Sequence, residues 1–389
     1  MRYLISGGGT GGHIYPAIAI ADRIRESEPT AEILFVGAAN GMEMDLVSDA
    51  GYRIIPITVS YLRRKLSWHN VRSAFMLIKG LIESSQILKD FEPDWVIGTG
   101  GYVSGPVLYV AAKKRYKTMI HEQNAFPGLT NRILSAHVDF VALSFEEAKR
   151  YLKRTMNVVV TGNPIRKEYY QLTQIEARES FPEYKDRSMV LISGGSGGSL
   201  HINQAIEEML QKKQSLPFKL YWATGKRHYN RMKSIVGSET FDKAGHQMVP
   251  YIDNMPYALK ACDLVVCSAG AITIAEVQAS DKYSILIPKA YTAENHQEKN
   301  ALMMEEYGHA TVIRELDLTG ELLYQKILDG LNREHQLVEH TKVRPAVDRI
   351  WSLLNQPKIK PEYRQDSRQT NQTESSGTYD SEKVSFKKQ

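Results

Sequence analysis

The chain has 389 residues, of which 42% are hydrophobic and 24% charged. That composition excludes a disordered or fibrous chain, and the length suggests two domains. A net charge of +5 permits an anionic partner without naming one, gives no reason to expect nucleic acid, and two cysteines are too few for a disulfide framework.

In chain order, the first strand is Tyr3-Leu4-Ile5, and glycines follow too soon for the apolar core of a signal peptide. The stretch "LISGGGTGGHIYP" (4–16) runs from strand through glycines into a helix. Ile14, Ala17, Ile18, Ala21 and Ile24 fall on one face of that helix, with Pro16 expected in its first turn. Short apolar runs follow at 33–36, 54–57, 95–97, 118–120, 140–143 and 158–160, most of them separated by helical patterns. The rhythm resets at "TGNPIR" (161–166). A second series has strands near 189–192, 219–222, 247–249, 264–266, 284–287 and 310–313. Cys262 and Cys267 sit in an apolar segment of this series and read as core residues. The last regular element is a helix over 343–354, and the polar tail 356–389 is expected to be disordered. No apolar run reaches the roughly 18 residues a membrane span needs.

Alternating strand and helix implies parallel sheets covered on both faces. The expected fold is therefore α/β, with two Rossmann-like, doubly wound domains over 1–162 and 163–340. Residues 341–355 would pack back toward the first domain. Ligands of such sheets bind beyond the carboxyl ends of the strands, so the cleft between the domains is the expected site.

Four glycine-bearing loops precede helix starts: 7–12, "GTGGYVSGP" (98–106), "GGSGG" (194–198) and "CSAGAITIAE" (267–276). Gly7, Gly9 and Gly12 satisfy G-x-G-x-x-G, but a dinucleotide site also needs an acid ending the second strand. That strand ends "LFVGAANG", with no acid before Glu43. A phosphate-binding loop of the nucleotide hydrolases needs Lys and then Ser or Thr after the last glycine, and His13 and Ile14 stand there instead. What remains is a set of candidate anion cradles, built from backbone amides and helix N-termini. No paired carboxylates or His/Cys spacing suggest a metal.

Taken in order, "GGGTGGHIYP", "GTGGYVSGP", "HEQN" (121–124), "TGNPIR", "GGSGG", "SAGAITIAE" and "NHQEKNA" (295–301) resemble the MurG family of bacterial N-acetylglucosaminyltransferases. The likeness spans about residues 1–355. It implies a GT-B fold, no cofactor, and transfer of GlcNAc from UDP-GlcNAc to the C4 hydroxyl of MurNAc in lipid I (undecaprenyl-pyrophosphoryl-MurNAc-pentapeptide), with inversion, to give lipid II. A UDP-GlcNAc epimerase of the same architecture is the alternative.

Carried over by position, the resemblance implies that Thr10, Gly11, Gly12 and Asn124 face the cleft, with Asn124 directed toward the sugar. Arg166 and Ser196 would approach the nucleotide and its phosphates, and Ile252 would border the uracil through backbone groups. Ala271, Ile272 and Thr273 would offer helix-end amides to the diphosphate, and Glu276 would hold the ribose. Gln297, with His296 beside it, would read GlcNAc hydroxyls. Inverting displacement needs a base for the acceptor hydroxyl. His13 is the first candidate, because imidazole titrates near neutrality; Glu122 and Tyr102 are its rivals. Ser268 and Gly197 depart from the basic or longer polar side chains expected there. A membrane-bound acceptor also requires a peripheral contact with the cytoplasmic face of an anionic membrane. Trp68, Val71, Phe75, Ile78 and Ile82 approximate one apolar helical face rimmed by Arg63, Arg64, Lys65, Arg72 and Lys79, and "KKRYK" (113–117) could extend the basic surface.

Overall fold

A computed structural model describes residues 1–60, 68–153, 157–195, 197–213, 215–291, 295–333 and 345–355, and describes no side chains for 68–72 and 238–240. The tail 356–389, Ser196, Arg63, Arg64 and Lys65 therefore lie outside the described residues, as do the side chains of Trp68, Val71 and Arg72.

The first sheet contains β1 (Arg2–Gly7), β2 (Glu32–Ala38), β3 (Arg53–Ile57), β4 (Trp95–Gly100), β5 (Lys117–Glu122), β6 (Phe140–Leu143) and β7 (Val158–Val160). Its helices are α1 (Gly11–Ser27), α2 (Glu43–Asp49), α3 (Trp68–Phe91), α4 (Ser104–Lys113) and α5 (Leu129–Leu134). Between the sheets lie α6 (Glu168–Gln171) and α7 (Gln174–Glu179). The second sheet contains β8 (Met189–Ser193), β9 (Lys219–Ala223), β10 (Gln247–Val249), β11 (Leu264–Cys267), β12 (Ser284–Leu286) and β13 (Ala310–Val312). Its helices are α8 (Leu200–Lys212), α9 (Tyr229–Val236), α10 (Ser238–Lys243), α11 (Met255–Ala261), α12 (Ala271–Ala279), α13 (His296–Glu306) and α14 (Gly320–Leu331); α15 (Ala346–Leu354) follows.

All pairings are parallel. The strand orders are β3-β2-β1-β4-β5-β6-β7 and β10-β9-β8-β11-β12-β13. Each order reverses direction once, between β1 and β4 and between β8 and β11. At these switch points neighbouring crossovers leave on opposite faces and open a crevice at the carboxyl edge. The four glycine loops found in the sequence are the loops that leave these four strands.

Each strand that the apolar runs predicted is present, with ends differing by no more than about three residues, as hydrogen-bond assignments usually do. One local expectation fails. Pro16 lies inside α1 rather than in its first turn, because the extended Thr10 (φ −150°, ψ 155°) starts the helix within the glycine loop. The proline removes the N–H that would bond the Gly12 carbonyl.

Core burial explains α15. Ile350, Leu353 and Leu354 pack with Ile14, Ala17, Ile20, Ala21 and Ile24 of α1. Arg23 reinforces the contact through an ion pair with Asp348. Cys262 and Cys267 are buried in the second core, where burial pushes both thiols up to about 12. They are packing groups, as the sequence suggested.

Candidate active site

The first wall is built on β1 and β4. Gly8 and Gly101 touch backbone to backbone: a Cβ on Gly101 (φ +82°) would fall 2.2 Å from the Gly8 carbonyl oxygen. Only glycine fits this contact. Beneath the loop lies Glu43, fully buried. Its carboxylate accepts the Ala38 N–H at 2.9 Å and the Gly9 N–H at 3.1 Å. The acid that the dinucleotide test encountered too late thus staples the loop from below. Because it occupies the Gly9 amide, an anion on this loop is left with the start of α1.

That start is open. Thr10 makes no side-chain cap, so the first-turn amides of Gly11 and Gly12 remain donors by helix geometry. The half-buried His13 follows. Its Nδ1 lies 3.0 Å from both the Thr99 carbonyl and Gln123 Oε1, while the Thr99 hydroxyl donates to the His13 carbonyl at 2.8 Å. The Tyr102 ring lies against Gly9.

Glu122 does not have the setting of a base. It is buried; Oε1 accepts from the Asn124 N–H and Nδ2, and Oε2 accepts from the Gly128 N–H and Asn131 Nδ2, all within 2.9–3.1 Å. Four donors hold the carboxylate inward, so its work is to shape the loop that carries Asn124.

The second wall is built on β8 and β11. Here the two helix starts differ. Ser199 caps α8 by accepting from the Ile202 N–H, and Gly198 N–H bonds back to the Gly195 carbonyl at 2.9 Å. The start of α12 has Gly270 as its N-cap and no side-chain cap. Open donors therefore favour α12 over α8 as the anion site of this wall. Ala271, Ile272 and Thr273 form its first turn. Glu276 follows one turn in.

Glu276 is half-buried beside Arg166 and Tyr169. Burial raises its carboxyl to about 7, against the lowering pull of a Tyr169 hydrogen bond and the Arg166 charge. The exposed guanidinium of Arg166 approaches the Tyr169 hydroxyl at 3.5 Å. The side chain of Ile252 is in the core, which leaves its backbone as the only part that can meet a ligand. The carbonyl of Gln297 accepts the Lys289 N–H at 3.0 Å, so the part it can offer a sugar is its amide NH2. The half-buried His296 opens α13. Ser268 ties the two loops of this wall together, its hydroxyl donating to the Gly194 carbonyl at 3.3 Å. Gly197 has open space where a side chain would sit; nothing in the structure explains its glycine.

Buried asparagines that sequence reasoning passed over join the walls. Asn163 of "TGNPIR" donates to the Gln123 carbonyl (3.1 Å) and the Ala271 carbonyl (3.2 Å). Asn300 of "NHQEKNA" accepts from the Ala125 N–H at 3.0 Å and donates to Asn124 Oδ1 at 3.3 Å. Lys299 stacks 3.6 Å from the centre of the Phe126 ring. Among the described residues, no group of three or more His, Cys, Asp or Glu could hold a metal.

Two doubly wound sheets, each with an open helix start at its switch point, are the architecture of the GT-B class, which sugar-nucleotide enzymes use. The patterns of the glycosyltransferase family 28 N-terminal and C-terminal domains match residues 3–143 and 189–350. The chain belongs to glycosyltransferase family 28, in its MurG branch. A relative from Alkaliphilus oremlandii, named UDP-N-acetylglucosamine--N-acetylmuramyl-(pentapeptide) pyrophosphoryl-undecaprenol N-acetylglucosamine transferase, is 54% identical over 91% of this chain and 98% of its own. The crystal structure of Acinetobacter baumannii MurG superposes with a TM-score of 0.70 at 25% identity, covering 91% of this chain and 99% of that one. A UDP-GlcNAc 2-epimerase from Methanocaldococcus jannaschii shares the fold at 14% identity, with a TM-score of 0.61 and coverage of 91% and 99%.

Proposed function

We infer that the chain is an inverting glycosyltransferase that moves GlcNAc from UDP-GlcNAc to the C4 hydroxyl of MurNAc in lipid I, giving lipid II for peptidoglycan synthesis. The observation that carries the reading is the pairing of two open helix starts, α1 on one wall and α12 on the other, at the two switch points of one cleft.

In this reading α12 takes the donor diphosphate and α1 the acceptor pyrophosphate. Glu276 accepts from ribose hydroxyls, Arg166 stands by the nucleotide, and the backbone at Ile252 borders the uracil. Asn124, Gln297 and His296 face the GlcNAc. The C4 oxygen attacks C1 from the side opposite UDP, the C1–O bond to UDP breaks, and the hydroxyl proton passes to His13 Nε2. The negative charge that develops on UDP falls to preorganised amides and the dipole of α12, which need no rearrangement at the moment of reaction. Tyr102, stacked on the first loop, would support the acceptor side.

Labelled UDP-GlcNAc incubated with and without a lipid I analogue tests the activity. Release of UDP that depends on the acceptor is the expected result. Epimerised sugar formed without acceptor would replace this reading with the epimerase.

In this reading the protein meets its lipid-linked acceptor as a peripheral protein at the cytoplasmic face of the membrane; no helix among the described residues is long and apolar enough to cross one. The contact we assign is α3. Phe75, Ile78 and Ile82 are 70%, 56% and 66% exposed, and Lys79 lies among them. Over 73–84 the buried positions of the helix are small instead: Ser73 and Ser84 are buried, and Gly80 lies so close to Thr58 that a Cβ would meet its carbonyl at 2.9 Å, whereas Ile87, Leu88 and Phe91 anchor the last turns in the core. Small side chains inward and large apolar ones outward suit a helix that lies on lipid. Phe75→Glu and Ile82→Glu are expected to abolish binding to anionic vesicles while leaving turnover on a soluble acceptor intact. Unchanged vesicle binding by folded variants would remove α3 from the contact.

A further inference from the structure

The ring of His13 is held by hydrogen bonds whose donors and acceptors can all be assigned. Its Nδ1 faces the Thr99 carbonyl and Gln123 Oε1, each at 3.0 Å. A main-chain carbonyl only accepts, so the proton is on Nδ1. The orientation of the Gln123 amide follows from its other contacts. Its Nε2 lies 2.8 Å from the Thr99 carbonyl and 3.1 Å from His121 Nδ1. His121 in turn donates from Nε2 to the Gly162 carbonyl at 2.9 Å, which leaves its Nδ1 as an acceptor. Burial pushes His121 down to about 4, so it is neutral near pH 7. One assignment satisfies every contact: the Gln123 amide donates to Thr99 and His121, and Oε1 accepts from His13.

Gln123 and His121 are both fully buried and out of reach of substrate. We propose that Gln123 is a positioning residue that, backed by His121 and Thr99, holds neutral His13 in its Nδ1–H form and so leaves the lone pair on Nε2 to receive the acceptor's proton. A free imidazole side chain favours the opposite, Nε2–H form, which has no lone pair at that position. Which ring nitrogen carries the proton is set by what the other one meets. The chain ends on Gly162, in the segment that leads from the first sheet to the second, so the tautomer of His13 is coupled to the linker. The catalytic purpose of this arrangement rests on the reading of His13 as the base.

The test is the 15N spectrum of histidine-labelled protein near neutral pH, with His13 assigned through the signal lost in His13→Gln. The expected spectrum shows neutral His13 as Nδ1–H. Gln123→Met removes one of the two acceptors that face Nδ1 and leaves the Thr99 carbonyl, so the signal should shift only part of the way toward the Nε2–H form. kcat should then fall roughly tenfold or more, with KM for UDP-GlcNAc unchanged. A wild-type His13 that is mainly Nε2–H overturns the proposal without any variant having to fold. So does a Gln123→Met protein with wild-type tautomer and kcat. The expected tautomers together with normal turnover in His13→Gln would instead overturn the base reading, while the hydrogen-bond chain would stand.

Discussion

His13→Ala is expected to lower kcat by roughly a hundred- to ten-thousandfold, the usual worth of a positioned general base, while leaving the affinity for UDP-GlcNAc nearly unchanged. The separation follows from the two walls. His13 belongs to the start of α1, beside the amides assigned to the acceptor, whereas the donor groups Arg166, Ala271 and Glu276 belong to the other wall. Loss of the imidazole removes the proton acceptor but leaves the α12 amides to stabilise departing UDP, so a residual rate should remain. Direct donor binding by calorimetry, together with turnover, checks both halves of the expectation. Near-normal turnover ends the role of His13 as base. A loss of donor affinity as large as the loss of kcat would mean that His13 serves binding. Glu122→Gln separates a base from a scaffold in the neighbouring loop. With its carboxylate saturated by four donors, that variant should lose stability and the order of the loop that carries Asn124 together, rather than turnover alone.

The strands and the glycine loops were legible in the sequence because both are local signals. Parallel strands buried on two faces read as short apolar runs, and a glycine before a helix start marks itself. The switch points were legible only as a class of place; strand order is needed to see that all four loops flank them. Polar groups whose meaning depends on a distant partner were not legible. Gln123 stands in "HEQN", Asn163 in "TGNPIR" and Asn300 in "NHQEKNA", so the motifs were found, but nothing in them says that these amides join residues more than a hundred positions apart. Glu43 was noticed only as an acid in the wrong place for a ribose. Its role under the first loop requires knowing that Gly8, Gly37 and Gly41 all leave room for its side chain. Pro16 was misplaced because the start of a helix depends on backbone angles at Thr10, which the glycines before it leave open.

Glu276→Gln should do two opposite things, and the opposition identifies the carboxylate as a ligand-binding group. Burial holds this carboxyl at about 7 rather than the ordinary 4.5, which outweighs the attraction of Tyr169 and Arg166. Between those two values the folded protein keeps a proton that the unfolded chain releases, so stability falls as pH rises from about 4.5 to about 7 and stays lowered above it. The amide carries no such cost. The variant is therefore expected to be more stable than the parent by about 1–3 kcal/mol at pH 8, with the advantage shrinking to nothing as the pH approaches 4.5. Thermal melts at pH 8 and pH 5 read this directly. Donor binding should move the other way. A carboxylate that accepts from ribose hydroxyls makes charge-assisted bonds, and their loss should weaken UDP-GlcNAc roughly ten- to hundredfold. In the parent protein donor affinity should also fall as the pH drops below about 7 and Glu276 takes up its proton, a dependence the variant should lack. A variant destabilised at pH 8, or one that binds UDP-GlcNAc as tightly as the parent, would return Glu276 to a purely structural place in α12. A side chain that costs stability at working pH is retained where its charge serves a ligand, and the cleft-facing start of α12 is where this chain bears that cost.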